Sequence, residues 1–204
     1  MSSRRQTRLW LRSGQKKVPA TVLEDISKEE VVETHKIWHP VRLQGLKQLQ
    51  SRGQPAPENA HWDWNQKASH LDLLAYRCVG IEYEGRVQGL MMMSTVYPSS
   101  RVPNQQGRPT VYVEYIESAP WNLAALTEHP QFSGVGTALI EAAVQYSLRE
   151  GCEGRLALHS LPQSESFYSR FMTRIGMDNL QGVLLAYFEM TPEQVQDLLG
   201  GQNK

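Results

Sequence analysis

TVYVEYIES-APWNLAALTEHPQ-FSGVGTALIEAAVQYSLRE, residues 110–150, decides the fold. Thr110–Ser118 alternates β-branched and aromatic residues with polar ones, the period of a strand. Ala119 to Phe132 has no period and reads as an irregular connection. From Gly134 the period becomes helical: Val135, Ala138, Leu139, Ala142, Ala143 and Tyr146 fall on one face, and Gly151 follows as a stop. Between strand and helix lies Gln131-Phe132-Ser133-Gly134-Val135-Gly136-Thr137. Glycines here let the chain turn tightly and let a ligand approach the amides. The first N–H groups of a helix have no intrahelical partner and stand at the positive end of its dipole. Strand, glycines and helix together predict an anion site suited to phosphate or pyrophosphate. No G-x-x-x-x-G-K-[ST] occurs, which excludes a P-loop. A dinucleotide fingerprint would need glycine where Leu139 stands.

Working outward, Pro19–Ile26 reads as a strand, and Ser27-Lys28-Glu29-Glu30 as a capping box opening a helix. That helix should stop at Pro40, with a second piece over Val41–Arg52. Gly53–Ala60 is a loop, and His61-Trp62-Asp63-Trp64 leads into apolar Leu71–Ala75. Tyr76–Tyr83 and Val87–Val96 flank the turn Glu84-Gly85-Arg86 as a hairpin, and Pro98–Pro109 is a polar loop. After the helix come a strand (Arg155–Leu161), a helix (Ser164–Ile175, ended by Gly176), a strand (Val183–Met190) and an end helix capped by Thr191-Pro192-Glu193. The order predicts an α/β (α+β) fold, a single mixed, mainly antiparallel sheet flanked by helices.

The 204 residues carry 21 Lys+Arg and 21 Asp+Glu, for no net charge, which argues against a dedicated nucleic-acid binder. Arg4, Arg5, Arg8, Arg12, Lys16 and Lys17 all fall in residues 1–17 with no acid among them, so the rest is net negative by six. The reading divides the chain into a basic, solvated and partly disordered arm over 1–17, with Leu9-Trp10-Leu11 as an alternative edge strand, and a single domain over 18–204. No membrane span or secretory core appears, so a cytoplasmic protein is expected. Cys78 and Cys152 read as buried free thiols. The six histidines show no metal-ligand spacing, so no metal is expected.

Gln131-x-x-Gly134-x-Gly136 between strand and helix resembles the acyl-CoA motif of the GNAT acetyltransferase superfamily. Ser166 to Met177 resembles that family's "FY…GF" helix, with Tyr168 in place and Met177 at the final aromatic position. Ile116-Glu117-Ser118-Ala119-Pro120-Trp121-Asn122 resembles an "LAVAPWN" strand end. The likeness spans about residues 76–190. It implies that acyl-CoA lies where strand 110–118 parts from strand 155–161. The backbone of Ile116–Ser118, Glu117 included, would hold the pantetheine and polarise the thioester carbonyl. Gln131 and the amides of Phe132, Ser133, Gly134, Val135, Gly136 and Thr137 would hold the pyrophosphate. Tyr168 would protonate the departing thiolate.

A lysine-like acceptor amine is neutral in about one molecule in a few thousand at pH 7, so a base is needed. By the resemblance Glu114 takes that role, on one strand face with Tyr112 and Ile116. Glu117, on the opposite face, is the alternative base. His61, Trp62, Asp63 and Trp64 could line an acceptor pocket or plug the core, and His159 reads as a satisfied structural histidine. The reading is an N-acetyltransferase moving an acetyl or other acyl group from acetyl-CoA to a primary amine by direct ternary-complex attack. The acceptor is a small molecule or peptide, without nucleic acid or membrane, and a homodimer stays open. The alternative is a non-catalytic acyl-CoA sensor or interaction module of the same fold. A third reading gives the basic arm a nucleic-acid contact.

Overall fold

The computed structural model describes residues 4–96 and 99–200. Met1–Ser3, and Pro98 at the start of the expected loop, lie outside these. Among the described residues nine strands, numbered in chain order β1 (Arg4–Leu11), β2 (Lys16–Leu23), β3 (Tyr76–Tyr83), β4 (Arg86–Ser94), β5 (Val111–Ser118), β6 (Phe132–Ser133), β7 (Leu156–Ser160), β8 (Thr173–Leu180) and β9 (Val183–Met190), form one sheet. Their order in it is β6-β1-β2-β3-β4-β5-β7-β9-β8, with helices alongside, as the sequence predicts. The chain groups into two compact units. The first holds residues up to Met92 and Tyr115–Leu139, the second Met93–Glu114 and everything from Ile140. No described helix is long and apolar enough to cross a membrane.

In the first unit, β1 (Arg4–Leu11) and β2 (Lys16–Leu23) pair antiparallel over their whole lengths. The basic arm is thus a strand over its described part, not a tail. Its alternation buries Leu9, at 1% exposure, and half-buries Arg5 on the same face, while Arg4 and Arg8 are exposed. β3 (Tyr76–Tyr83) pairs with β2, and β4 (Arg86–Ser94) follows across a tight turn with positive φ at both Glu84 and Gly85. The helix α1 runs unbroken from Lys28 to Ser51, opened by the Ser27–Glu30 capping box. The expected break at Pro40 does not occur. Buried Val31, Thr34, Trp38, Arg42, Gly45 and Leu49 recur every three or four residues on both sides of the proline. Packing along that stripe outweighs the one backbone hydrogen bond proline removes. A short helix α2 (Trp64–Lys67) leads into a 3₁₀ turn over Ala68–Asp72. Trp38, Trp64, Cys78, Leu90, Met92 and Trp121 build the core.

In the second unit, β5 (Val111–Ser118, its first four residues here) pairs in parallel with β7 (Leu156–Ser160). This ladder joins Val111–Val113 to Leu156–Leu158 and ends there although both strands run on. β9 (Val183–Met190) pairs antiparallel with β7 and with β8 (Thr173–Leu180). The expected helix 164–175 shrinks to α4, Glu165–Tyr168. Thr173 and Ile175 are β-branched, and the chain from Thr173 pairs with β9 through an irregularity at Ile175. The end helix α5 (Pro192–Gly200) seats Val195 on Gly154, where a Cβ would lie 2.7 Å from it.

Candidate functional site

The anion end of the site is built wholly within the first unit. Phe132–Ser133 form a short strand, β6, paired with Trp10–Leu11 of β1, and α3 follows over Val135–Arg149. Gly134 joins them at φ +87°, a conformation that favours glycine. The first helical bond runs from the Ala138 N–H to the Gly134 carbonyl at 2.9 Å. The N–H groups of Gly134, Val135, Gly136 and Thr137 precede it and donate to no intrahelical carbonyl. The sequence assigned Phe132 and Ser133 to this set as well. Instead the Phe132 N–H donates to the Asn122 side-chain oxygen at 3.1 Å, and Ser133 sits in register with Trp10. Both backbone groups of Gln131 are also engaged, its N–H with Trp121 and its carbonyl with Arg12.

Two features the sequence did not expose position this loop. Asn122 Nδ2 donates to Gln88, Trp121 Nε1 donates to the Gln88 side chain at 2.8 Å, and the Ala119 N–H donates to the Gln88 carbonyl. Ala119-Pro120-Trp121-Asn122 therefore clamps β4 to β6. At Gly89 a Cβ would meet Val135 Cγ1 at 2.4 Å and the Glu117 carbonyl at 3.3 Å. This bare stretch of backbone brings the first turn of α3 and the end of β5 together. The connection 119–130, read from the sequence as irregular, is docked on α1. Gly45 abuts Leu126, Arg52 pairs with Glu128 at 2.6 Å, and a cavity of about 410 Å³ opens beside them.

The first unit also contains Ile116, Glu117 and Ser118 of β5; Glu114 and Tyr168 belong to the second. Burial lifts the Glu114 carboxyl above the ordinary carboxylate range, and the nearby Ser94 hydroxyl draws it only part of the way back. Its Oε1 is buried without a hydrogen-bond partner. Tyr168 packs against Phe167, Phe171 and Phe188, and burial holds its phenol protonated well past neutral pH. Glu117 is spoken for. It accepts from Arg42 at 2.8 Å, Trp64 Nε1 at 2.6 Å and Asn59 Nδ2 at 2.7 Å. Burial still raises its carboxyl, with Arg42 as the main opposing influence.

This cluster is the chemistry the sequence did not show, because its members lie far apart along the chain. Of the acceptor candidates, Trp64 is fully buried and bonded to Glu117, so it plugs the core. Trp62 stands edge-on to Tyr115, while His61 is exposed and Asp63 caps α2. Lys67 joins them, its ammonium 3.4 Å over the Tyr115 ring and 4.9 Å over Trp62. His159, in the second unit, is the satisfied histidine expected. It bonds Tyr112 at 2.7 Å and Asp178 at 2.8 Å. Among the described residues no group of three His, Cys, Asp or Glu could hold a metal. Cys78 and Cys152 are buried free thiols whose burial raises their pKa.

No curated protein sequence matches this chain. Among solved structures it is similar in fold to the aminoglycoside acetyltransferase AAC(6')-Ib with coenzyme A and kanamycin (TM-score 0.56, 12% identity, covering 87% of this chain and 98% of that one). It is also similar to yncA of Salmonella typhimurium, a putative acetyltransferase with acetyl-CoA (TM-score 0.53, 15% identity, 85% of this chain and 94% of that one). A further likeness is to FeeM, an N-acyl amino acid synthase from uncultured soil microbes (TM-score 0.54, 12% identity, 91% of this chain and 98% of that one). The sequence profile of the Acetyltransferase (GNAT) family matches residues 43–172, well over half the chain. With the strand–glycine–helix unit inside that span, the chain belongs to the GNAT acetyltransferase family.

Proposed function

We propose that the chain is an N-acyltransferase that moves an acetyl group from acetyl-CoA to a primary amine by direct attack. Bound acetyl-CoA supplies an activated acyl carbonyl and a thiolate leaving group. The amides of Gly134–Thr137 hold its pyrophosphate, and the backbone of Ile116–Ser118 holds the pantetheine and polarises the carbonyl. Glu114 takes the proton of the acceptor amine, and Tyr168 returns one to the sulfur. The observation that carries this reading is the start of α3. Four amides there precede the first helical bond, behind a left-handed Gly134. Glu114 favours turnover over mere sensing, since a buried carboxylate oxygen without a partner suits a proton acceptor near neutral pH.

The acceptor is a small amine in this reading. Support comes from the fold relatives, one of which holds coenzyme A and the aminoglycoside kanamycin, while another is an N-acyl amino acid synthase. The test is release of free thiol from acetyl-CoA across polyamines, aminoglycosides, amino acids and peptides, with acetyl-CoA binding measured in parallel. Release with any of these amines supports the transferase. Binding without release across the panel favours the sensor, and no binding overturns both.

A further inference from the structure

Among the described residues, Lys67 is the lysine whose ammonium stands over aromatic rings, those of Tyr115 and Trp62. Among the described residues no protein acceptor lies within hydrogen-bond distance of it. The carboxylate that would naturally pair with it, Glu117, is occupied by Arg42, Trp64 and Asn59. Elsewhere Lys28 and Lys36 sit in ion pairs with Asp72 and Glu33. The aromatic seat is also close in sequence to the chemistry, since Tyr115 directly precedes Ile116 on β5.

We propose that Lys67 is a self-acetylation site, its side-chain amine serving as an internal acceptor for acetyl-CoA held on the same chain. The inference rests on the acetyl-CoA reading above. In the step, the neutral Nζ attacks the thioester carbonyl carbon. A C–N bond forms, the C–S bond breaks, the coenzyme A thiolate leaves with the electron pair, and the surplus amine proton passes to solvent. The product is a neutral amide, so the cation over Tyr115 and Trp62 disappears.

Burial favours the free amine, against the pull of the two ring faces on the cation. Burial is the main influence and pulls the Lys67 pKa down to about 8. Glu117 of β5 and Asp63, which caps α2, oppose it, and Arg42 of α1 assists it. His70, in the 3₁₀ turn that follows, faces the same Tyr115 ring. Relative to an ordinary lysine, that value gives roughly 250-fold more free base at pH 7.

The protein is incubated with acetyl-CoA alone, and intact mass and peptide mapping follow acetylation over time, while calorimetry reports acetyl-CoA binding. The expected result is a single early acetyl group on Lys67, added on the order of 100-fold faster than on exposed Lys36. Its rate should not depend on protein concentration, should rise from pH 7 and level off above pH 8, and should fall when excess free coenzyme A competes. Lys67→Arg, which keeps the cation, should bind acetyl-CoA normally and lose the early label. Binding of acetyl-CoA with Lys67 labelled no faster than Lys36, or labelling untouched by coenzyme A, overturns the inference and leaves the transferase reading standing. Failure to bind acetyl-CoA overturns the reading itself, and the inference with it.

Discussion

Glu114 and Glu117 sit three residues apart on β5 and illustrate two fates of a carboxylate out of water. Glu117 meets Arg42 with both side chains at 4% exposure or less. Removing one partner strands a buried charge, so Arg42→Ala should cost about 3–5 kcal/mol of unfolding free energy. Chemical denaturation reads this directly, and Arg42→Met with Glu117→Gln should recover most of it. Glu114 has no such partner, and burial raises its pKa. The folded protein therefore holds that proton more tightly than the unfolded chain does. The associated stability is present at acid pH and lost as pH rises through the elevated value. Glu114→Gln should accordingly raise the melting temperature at neutral pH. The same change should lower kcat about 10²–10⁴-fold and remove the acid limb of the pH–rate profile. A variant that keeps full activity would take the base role away from Glu114. The strand's alternation was legible and put the two carboxylates on opposite faces. The Glu117 partners were not, because Arg42, Asn59 and Trp64 reach it only through the fold.

At the scale of elements, periodicity was readable wherever one face meets a core. The ranges of β3, β9 and α3 follow the hydrophobic pattern, as does the capping box of α1. Local rules failed where tertiary contacts overrode them. Pro40 was read as a stop, yet the buried stripe from Val31 to Leu49 carries α1 through it. Residues 173–175 were read as helix, yet β9 offers them a ladder. The glycines behind the anion loop illustrate the same division. Gly134 was legible as a turn, whereas Gly89 had no signal because its constraint is the approach of Val135. Gly89→Ala should push the first turn of α3 outward. We expect the KM for acetyl-CoA to rise several-fold with a smaller change in kcat, the pattern of a positioning residue. Gly134→Ala keeps the space open but strains the positive φ, and should lower stability by about 1 kcal/mol as well as weaken binding. Equal effects on kcat and KM from Gly89→Ala would detach the loop from acetyl-CoA binding.

Across the whole molecule the charge totals cancel, while six of the cations lie within the first 17 residues. Composition alone gave that segment the look of a tail or a nucleic-acid arm. Pairing gives it another task. β1 is bonded along one edge to β2 and along the other to β6, and the Arg12 N–H reaches the Gln131 carbonyl at 2.9 Å. It buries Leu9, worth about 1.5–3 kcal/mol by itself. It also fixes the strand that hands the chain to Gly134. Deleting residues 1–12 should therefore lower the melting temperature and weaken acetyl-CoA binding together, although no residue of β1 is assigned to the ligand. Salt-dependent RNA binding, compared between full-length and shortened protein, separates the two roles. A strand leaves RNA affinity negligible in both forms and shifts stability. An arm shows affinity that falls steeply with salt in the full-length protein, vanishes on truncation, and leaves the melting temperature where it was. The burial of Leu9 between exposed Arg8 and Trp10 supports the strand, because a phosphate-binding arm has no reason to keep a leucine out of water.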